Sequence, residues 1–232
     1  MGKAILIGAG PGAADLITLR GARLLAKANV VLYDALVGQE ILDLCPQALK
    51  VPVGKRFGQR STAQAQINQL LVEYAQNHAL VVRLKGGDPM LFGRADEELS
   101  ALEQAGIEFE IVPGITTAFA AAAAAKQPLT RRGFARSVAF FTSSSAPDLP
   151  ETTQLPACDT LVQYMGGQQA IQTAALLLEQ GRPADLPVVV VENCSLPNQR
   201  IVRMTLSELK LGIPGCTGPV LVMIGAAFAQ RD

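Results

Sequence analysis

The sequence predicts an α/β protein made of two α/β domains with mainly parallel sheets. Short apolar segments that end in glycine or aspartate alternate with amphipathic segments along the first half of the chain. After Pro113-Gly114 the same alternation starts again, which indicates a second domain. The chain has 232 residues, 49% of them apolar, enough for two modest cores. We therefore expect domains at residues 1–113 and 114–232, with a ligand cleft between them.

The first domain shows a strand–helix rhythm from its first residues. Strands are predicted at Ala4–Gly8, Val30–Tyr33, Leu80–Leu84 and Phe109–Val112. Helices are predicted at Leu16–Ala28, Gln64–Gln76 and Asp96–Gln104, where apolar residues recur at helical spacing.

The second domain continues this rhythm with more strands. A helix is predicted at Thr116–Lys126, which contains six consecutive alanines, and another at Ala170–Glu179. Strands are predicted at Ser137–Thr142, Thr160–Tyr164, Pro187–Glu192, Ile201–Thr205 and Val220–Ile224. The run of four valines from Val188 to Val191 is typical of a parallel strand covered on both faces.

Composition argues against several classes of function. Lysine plus arginine and aspartate plus glutamate both number 20, so bulk charge does not favour nucleic-acid binding. No apolar run reaches the roughly 18 residues of a membrane span, and the chain starts without a signal-peptide pattern, so we expect a cytoplasmic protein. Four scattered cysteines and one histidine predict no bound metal.

A glycine loop follows the first predicted strand. Gly8-Ala9-Gly10-Pro11-Gly12-Ala13 matches G-x-G-x-x-A, and Asp34 ends the second strand about twenty residues later. Taken alone, this pattern suits a nicotinamide or flavin enzyme as well as any other nucleotide-like cofactor.

A second loop follows the strand that ends at Leu84. Gly86 and Gly87 expose backbone amides, and Asp88 can accept a hydrogen bond from an ammonium or hydroxyl group. Such a loop suits a zwitterion such as the methionine part of S-adenosylmethionine. A tight β-turn without a ligand is the structural alternative.

Two segments are basic and free of acids. No acid stands between Asp43 and Glu73, or between Glu110 and Asp148. The bases in these segments are Lys50, Lys55, Arg56, Arg60, Lys126, Arg131, Arg132 and Arg136. Their distribution predicts a binding surface for a polyanion, the alternative being chance and solvation.

Several separated segments together resemble the tetrapyrrole methylases, particularly those that act on uroporphyrinogen III. The segments run in order along the whole chain: Ile7–Leu19, Val31–Asp34, Val53–Arg56, Arg83–Glu98, Val112–Thr116, Pro128–Thr130, Tyr164–Gly166, Gly181–Asp185 and Val191–Asn193. The stretch from Lys85 to Glu98 is the most specific. The sequence departs from the family pattern at Arg131, where a histidine is common, and at Cys194, where a glycine is usual.

The resemblance implies a tetrapyrrole methylase fold (class III methyltransferase), a homodimer, and S-adenosylmethionine bound in the interdomain cleft. The cofactor residues that it implies are Pro11, Gly86, Gly87, Asp88, Leu91, Thr116, Thr117, Met165 and Cys194. Most of them would act through backbone atoms. For Met165 the alternative is a residue of the core.

The resemblance also implies a substrate and catalytic residues. The substrate would be uroporphyrinogen III, methylated at C2 and C7 to give precorrin-2 in sirohaem or cobalamin biosynthesis. Its eight carboxylates would bind to Arg56, Arg60, Lys126, Arg131 and Arg132. Asp34 is the first candidate for the base, Lys55 for a partner acid, and Arg94 for orienting the substrate.

Alternatives stay open for the residues and for the function. Asp34 could instead cap a helix, and Lys55 could anchor a carboxylate. The function could be methylation of a later corrinoid precursor or, in a different class, an oxidoreductase with a nucleotide cofactor. A non-catalytic sensor of S-adenosylmethionine is the third alternative.

Overall fold

The computed structural model describes residues 2–54, 64–143 and 155–230. The chain divides into two compact units, Met1–Thr116 and Thr117–Asp232. Each unit contains one five-stranded sheet with helices packed on it. None of the helices in these described ranges has the length and hydrophobicity that a membrane span requires.

The sheet of the first unit is entirely parallel. Its strands are β1 (Lys3–Gly8), β2 (Val30–Tyr33), β3 (Leu49–Pro52), β4 (Leu80–Lys85) and β5 (Glu108–Val112). They are ordered β3-β2-β4-β1-β5. The chain leaves β1 toward β2 on one side and leaves β4 toward β5 on the other. The loops after β1 and β4 therefore flank a switch point, where open α/β sheets bind ligands.

Helices cover both faces of this sheet. They are α1 (Leu19–Leu25), α2 (Gln39–Leu42), α3 (Gln64–Asn77) and α4 (Ala95–Gln104). Alternate residues of β1 point to opposite faces: Ile5 and Ile7 pack in the cluster that includes Leu25 of α1, while Leu6 packs in the cluster that includes Leu71 of α3. This double coverage explains why the strands are apolar throughout.

Two local features of the first unit differ from the sequence expectation, and a third excludes one of the alternatives. The predicted helix from Leu16 begins at Leu19, because the Thr18 side chain accepts a hydrogen bond from the Gly21 N–H at 3.1 Å and caps the helix there. Strand β3 was not predicted, since it lies at the sheet edge and ends in a proline. Helix α2 is a single turn capped at Gly38, so Asp34 is not its N-cap.

The sheet of the second unit is mixed. Its strands are β6 (Val138–Thr142), β7 (Thr160–Tyr164), β8 (Pro187–Glu192), β9 (Arg200–Thr205) and β10 (Val220–Ile224), ordered β6-β7-β10-β8-β9. Only β6 and β7 pair in parallel, and the other three pairs are antiparallel. The α/β class is confirmed, but the expectation of a mainly parallel sheet is wrong for this unit. An apolar strand indicates that both of its faces are buried, but burial does not determine whether the strand pairs in parallel or antiparallel.

Helices also cover both faces of the second sheet. They are α5 (Thr117–Ala125), α6 (Gln169–Glu179) and α7 (Leu206–Leu209). Helix α5 buries Ala118, Ala121, Ala122 and Ala125, the i, i+3, i+4, i+7 face of the alanine run. These alanines share a core with Val189 and Val191 of β8, while Val188 and Val190 pack toward α6 and α7.

Candidate active site

The loops after β1 and β4 are hydrogen-bonded to each other. The Gly10 N–H donates to the Gly87 carbonyl at 3.2 Å, and the Gly87 N–H donates to the Gly10 carbonyl at 2.7 Å. Both residues have positive φ, +79° for Gly10 and +67° for Gly87, which a side chain would strain. The parallel pairing of β1 with β4 brings these two loops to one edge of the sheet.

The loop after β5 packs against the same place. A Cβ on Gly114 would lie 2.2 Å from the Gly87 carbonyl oxygen and 2.7 Å from the Gly8 Cα. We call Gly8, Gly10, Gly87 and Gly114 the glycine cradle. Because its members carry no side chains, the three loops can pack main chain against main chain at this place.

The Asp88 side chain stabilises the glycine cradle through two hydrogen bonds. Its Oδ1 accepts from the Met90 N–H at 2.8 Å, and its Oδ2 accepts from the Gly114 N–H at 2.9 Å. The structure thus gives Asp88 a role in holding two loops together, beside the ligand contact expected from the sequence. Half-buried residues of the same loops include the other predicted cofactor residues Pro11, Gly86 and Leu91. The buried Thr116 lies close by, since a Cβ on Gly87 would be 3.9 Å from the Thr116 Cα.

A buried charge cluster lies beside the cradle, formed by Asp34, Arg83, Lys85 and Glu98. The Arg83 guanidinium contacts both carboxylates, with Nη2 2.5 Å from Asp34 Oδ1 and Nε 2.9 Å from Glu98 Oε1. The Lys85 ammonium lies 2.9 Å from each Glu98 oxygen. Glu98 is fully buried, and the side chains of Arg83 and Lys85 are 2% and 3% exposed. Two cations and two carboxylates compensate one another, as buried charges must.

The ionisation of the two buried cations reflects this environment. Burial alone would lower the pKa of Arg83, but the Asp34 and Glu98 carboxylates outweigh it and raise that pKa. Burial, with the nearby Arg83 charge, lowers the pKa of Lys85 despite its contact with Glu98. Arg83 is therefore a permanent cation, whereas Lys85 gives up its proton more readily than an exposed lysine does.

The charge cluster opens onto a cavity of about 240 Å³. Its lining includes Asp34, Arg83, Lys85, Phe92 and Arg94. Arg94 has a left-handed backbone, with φ of 52°. Its guanidinium forms a two-point contact with the Glu97 carboxylate, at 2.7 and 2.9 Å. The structure thus brings two of the three predicted catalytic residues, Asp34 and Arg94, to one cavity, while Lys55 lies outside the described residues.

In the second unit, Met165 and Cys194 lie at one edge of the sheet. The residue after Met165, Gly166, donates to the Val220 carbonyl at 3.3 Å, and the residue before Cys194, Asn193, donates to the Pro219 carbonyl at 3.0 Å. Met165 has φ of 55° and is 54% exposed, so it is not a residue of the core. Cys194 is buried, and burial raises the pKa of its thiol to about 11. Thr117, the remaining predicted cofactor residue, begins α5.

Three of the predicted substrate-binding residues, Lys126, Arg131 and Arg132, lie in the segment that follows α5. Lys126 ends the helix with φ of 57°, and its N–H donates to the Ala123 carbonyl. The Arg131 guanidinium lies 4.2 Å from the centroid of the Phe134 ring, a cation–π contact, and Arg132 is exposed. Two more predicted substrate residues, Arg56 and Arg60, lie outside the described residues.

Sequence reasoning missed three members of the charge cluster: Arg83, Lys85 and Glu98. A signal was present, because Arg83 and Lys85 interrupt a strand that is otherwise apolar. A charge in a strand covered on both faces needs a buried partner. The sequence does not reveal which acid is that partner, since the answer depends on α4 packing beside β4. In the part of the chain that the structure describes, no group of histidine, cysteine, aspartate and glutamate side chains could hold a metal ion.

Comparisons with known proteins agree on one family. Residues 3–210 match the family of tetrapyrrole (corrin/porphyrin) methylases. The chain is 46% identical over 237 residues to a siroheme synthase of Actinobacillus pleuropneumoniae and 42% identical over 234 residues to one of Escherichia coli. Each alignment covers 100% of this chain, but 49% and 51% of the relatives, so the chain spans about half their length.

Solved structures with the same fold include two methyltransferases of different substrates. A uroporphyrin-III C-methyltransferase of Thermus thermophilus, complexed with S-adenosylhomocysteine, shares 40% identity at a TM-score of 0.84, covering 97% of this chain and 98% of that one. A cobalt precorrin-4 methyltransferase shares 30% identity at a TM-score of 0.85, covering 98% and 96%. The match to the family model over residues 3–210 and these identities over the whole chain show that the chain belongs to the tetrapyrrole methylase family.

Proposed function

We propose that the chain transfers methyl groups from S-adenosylmethionine to C2 and C7 of uroporphyrinogen III, giving precorrin-2 by way of precorrin-1. The observation that carries the proposal is the glycine cradle beside the charge cluster, in a chain 40% identical to a uroporphyrin-III C-methyltransferase complexed with S-adenosylhomocysteine. The cradle fits a cofactor that binds to main chain, and the charge cluster fits a reaction that must remove a proton.

The glycine cradle supports a cofactor site on steric grounds. A Cβ at Gly8 or Gly114 would collide with backbone of the neighbouring loops, so glycine at both positions lets the three loops meet. We propose that the backbone groups of these loops make most of the contacts with the cofactor. S-adenosylmethionine, when bound, supplies an electrophilic methyl group on a positively charged sulfur. The proposed contacts come from the loops of Pro11, Gly86–Leu91 and Thr116 in the first unit. Thr117, Met165 and Cys194 are the proposed contacts from the second.

Asp34 is the proposed proton acceptor. Methylation of a pyrrole carbon leaves that ring cationic, and loss of a proton restores its neutral form. Asp34 lines the cavity with a side chain that is 30% exposed, and Arg83 holds one of its oxygens. Arg94, at the same cavity, cannot act as a base at neutral pH because guanidinium stays protonated. We propose that Arg94 orients the substrate and that Lys55 assists as an acid.

The basic residues are the proposed anchors for the substrate carboxylates. Arg131 is held over the Phe134 ring, which limits its rotamers before any ligand binds. Arg132 is exposed and available for a bidentate contact. Lys126, Arg56 and Arg60 complete the proposed set. We further propose a homodimer, on the resemblance to the family.

Methylation of a later corrinoid precursor is the second candidate. The fold similarity to a cobalt precorrin-4 methyltransferase, at a TM-score of 0.85, is the observation that favours it. Sequence identity favours the first candidate, at 40% against 30%. Membership of the methylase family argues against the oxidoreductase that the glycine loop alone would allow.

The deciding experiment is anaerobic incubation of the purified chain with S-adenosylmethionine and uroporphyrinogen III, followed by mass spectrometry. We expect each macrocycle to gain two methyl groups, and we expect two molecules of S-adenosylhomocysteine to form for each macrocycle converted. A parallel incubation with a cobalt-precorrin substrate tests the second candidate. Methyl transfer only to the cobalt-precorrin would contradict the proposal, and cofactor binding without any transfer would favour the sensor.

A further inference from the structure

We infer that Arg83 is a positioning residue for the proton acceptor Asp34, and that Glu98 in turn holds Arg83. The inference rests on the proposed function, because Asp34 needs to be positioned only if it receives a proton from the methylated ring. Both residues lie in the segment Arg83–Glu98 that carries the family resemblance, but neither is among the cofactor, substrate or catalytic residues that the resemblance implies. Their role follows from contacts in the charge cluster.

Arg83 is fixed at all three guanidinium nitrogens. Nη2 lies 2.5 Å from Asp34 Oδ1, Nε donates to Glu98 Oε1 at 2.9 Å, and Nη1 donates to the Leu84 carbonyl at 3.2 Å. The side chain is 2% exposed. Because the planar fork has partners in three directions, the guanidinium cannot follow Asp34 if the carboxylate moves, and Asp34 must conform to it.

Asp34 is held at one oxygen and open at the other. Its Oδ1 contacts Arg83, and within the described part of the chain its Oδ2 accepts no hydrogen bond. Its main chain is also held, since a Cβ on the neighbouring Gly54 would lie only 2.8 Å from the Asp34 Cα. A carboxylate with one fixed oxygen presents the other in one direction, which is what proton transfer from a bound carbon requires.

Glu98 supplies the charge that keeps two cations buried together. Its Oε1 accepts from Arg83 Nε and from Gln64 Nε2 at 3.2 Å, and both of its oxygens accept from the Lys85 ammonium. Without it, Arg83 and Lys85 would repel each other in a site that water barely reaches. Glu98 therefore sets where Arg83 lies, and through it where Asp34 lies.

The charges of the cluster argue against a second role for Arg83 and Lys85, the binding of a substrate carboxylate. A cavity lined by Arg83, Lys85 and Arg94 resembles an anchor for a substrate carboxylate. Arg83 and Lys85, however, already contact acids: Asp34 and Glu98 for Arg83, and Glu98 for Lys85. The cluster has no surplus positive charge to offer an anion, so positioning of Asp34 is the function that its geometry supports.

The test compares Arg83→Lys, Arg83→Gln and Glu98→Gln with Asp34→Asn in the full chain. For each we would measure kcat and KM for uroporphyrinogen III, and the Kd of S-adenosylmethionine by calorimetry. We expect kcat to fall about tenfold or more in the Arg83 variants, with KM and the cofactor Kd little changed. Arg83→Lys should keep more activity than Arg83→Gln. Arg20→Lys, at an exposed ion pair with Glu110, is the matched control and should leave kcat unchanged.

Asp34→Asn separates the two hypotheses. If Asp34→Asn retains full kcat, the proposed function of Asp34 is wrong, and the inference falls with it. If Asp34→Asn loses kcat while folded Arg83 variants keep the wild-type value, the positioning role alone is overturned. Should the Arg83 variants fail to fold, Glu98→Gln decides, because it keeps the size of the side chain but removes the negative charge that holds Arg83 beside Lys85. A reduced kcat in that variant, with unchanged cofactor Kd, supports the inference, and an unchanged kcat contradicts it.

Discussion

The Asp88 carboxylate ties the loop after β4 to the loop after β5, because its Oδ2 accepts a hydrogen bond from the Gly114 N–H at 2.9 Å. Its other oxygen accepts from the Met90 N–H within its own loop. One side chain thereby sets the shape of the main chain on two sides of the glycine cradle. The proposed cofactor site depends on Asp88 even where Asp88 itself does not touch the ligand.

Replacing Asp88 by alanine should weaken the binding of S-adenosylmethionine. Two charge-assisted hydrogen bonds disappear, each worth roughly 1.5–3 kcal/mol, and the loops of the cradle separate. We expect the Kd measured by calorimetry to rise about tenfold or more. Asp43→Ala, at an exposed helix end in the same unit, should leave the Kd unchanged. An unaltered Kd for Asp88→Ala would remove Asp88 from the cofactor site.

The contact between Gly114 and its neighbours predicts a strong effect of one added methyl group. In Gly114→Ala the new Cβ would lie 2.2 Å from the Gly87 carbonyl oxygen, so backbone must move. We expect a loss of about 2 kcal/mol or more in stability, a fall of roughly 5 °C in the thermal midpoint. Gly167→Ala is the matched control, since its Cβ would meet nothing within 4 Å. Equal midpoints for the two variants would show that the loops are not packed as described.

Apolar patterning predicted most strands and helices well, but it could not supply strand direction. The valine run of β8 is buried on both faces, as expected, yet β8 pairs antiparallel with both neighbours. Burial depends on which layers cover a strand, whereas direction depends on how the connections run. Strand β3 was missed for a different reason, because its ends at Leu49 and Pro52 are exposed and carry little apolar signal.

Loops with distinctive residues were easier to predict than buried contacts. Glycines in short loops after strands can be recognised from the sequence alone. Gly10 and Gly87, which both have positive φ, lie in the two loops that the sequence predicted to be functional. The pairing of Arg83 with Glu98 joins residues fifteen apart through the packing of a helix on a strand. No local pattern specifies that contact, so the charge cluster emerged only from the structure.

The Cys194 thiol should react slowly with alkylating reagents. Burial raises its pKa to about 11, so at neutral pH only a very small fraction is the reactive thiolate. We expect iodoacetamide to modify Cys194 at least about tenfold more slowly than the half-buried Cys158, as followed by mass spectrometry of peptides. In denaturant the two should react alike. Equal rates in the native protein would mean that Cys194 is accessible.

Arg132→Ala should weaken binding of the macrocycle and leave the cofactor alone. Arg132 is exposed in the segment after α5, and we propose that it binds a substrate carboxylate. Loss of one such contact should raise KM for uroporphyrinogen III about tenfold, with the Kd of S-adenosylmethionine unchanged. Lys210→Ala, which removes one positive charge near the end of α7, controls for net charge. If both variants raise KM equally, the effect comes from overall charge rather than from a specific anchor.

The Glu192 carboxylate makes the stability of the second unit sensitive to acid. Its Oε1 accepts from the Gly218 and Thr217 N–H groups, both at 2.7 Å, and these contacts hold the pKa of Glu192 below its ordinary value of 4.5. A depressed pKa contributes stability that is complete above pH 4.5 and is lost as the pH falls through the value in the folded protein. Glu192→Gln should therefore unfold at a lower temperature than the wild type at pH 7, and the difference in midpoints should shrink as the pH falls below 4.5. Glu179→Gln, at an exposed helix end, should show no such convergence. A difference for Glu192→Gln that stays constant from pH 7 to strongly acidic pH would mean that the carboxylate charge plays no part in holding the 217–218 loop.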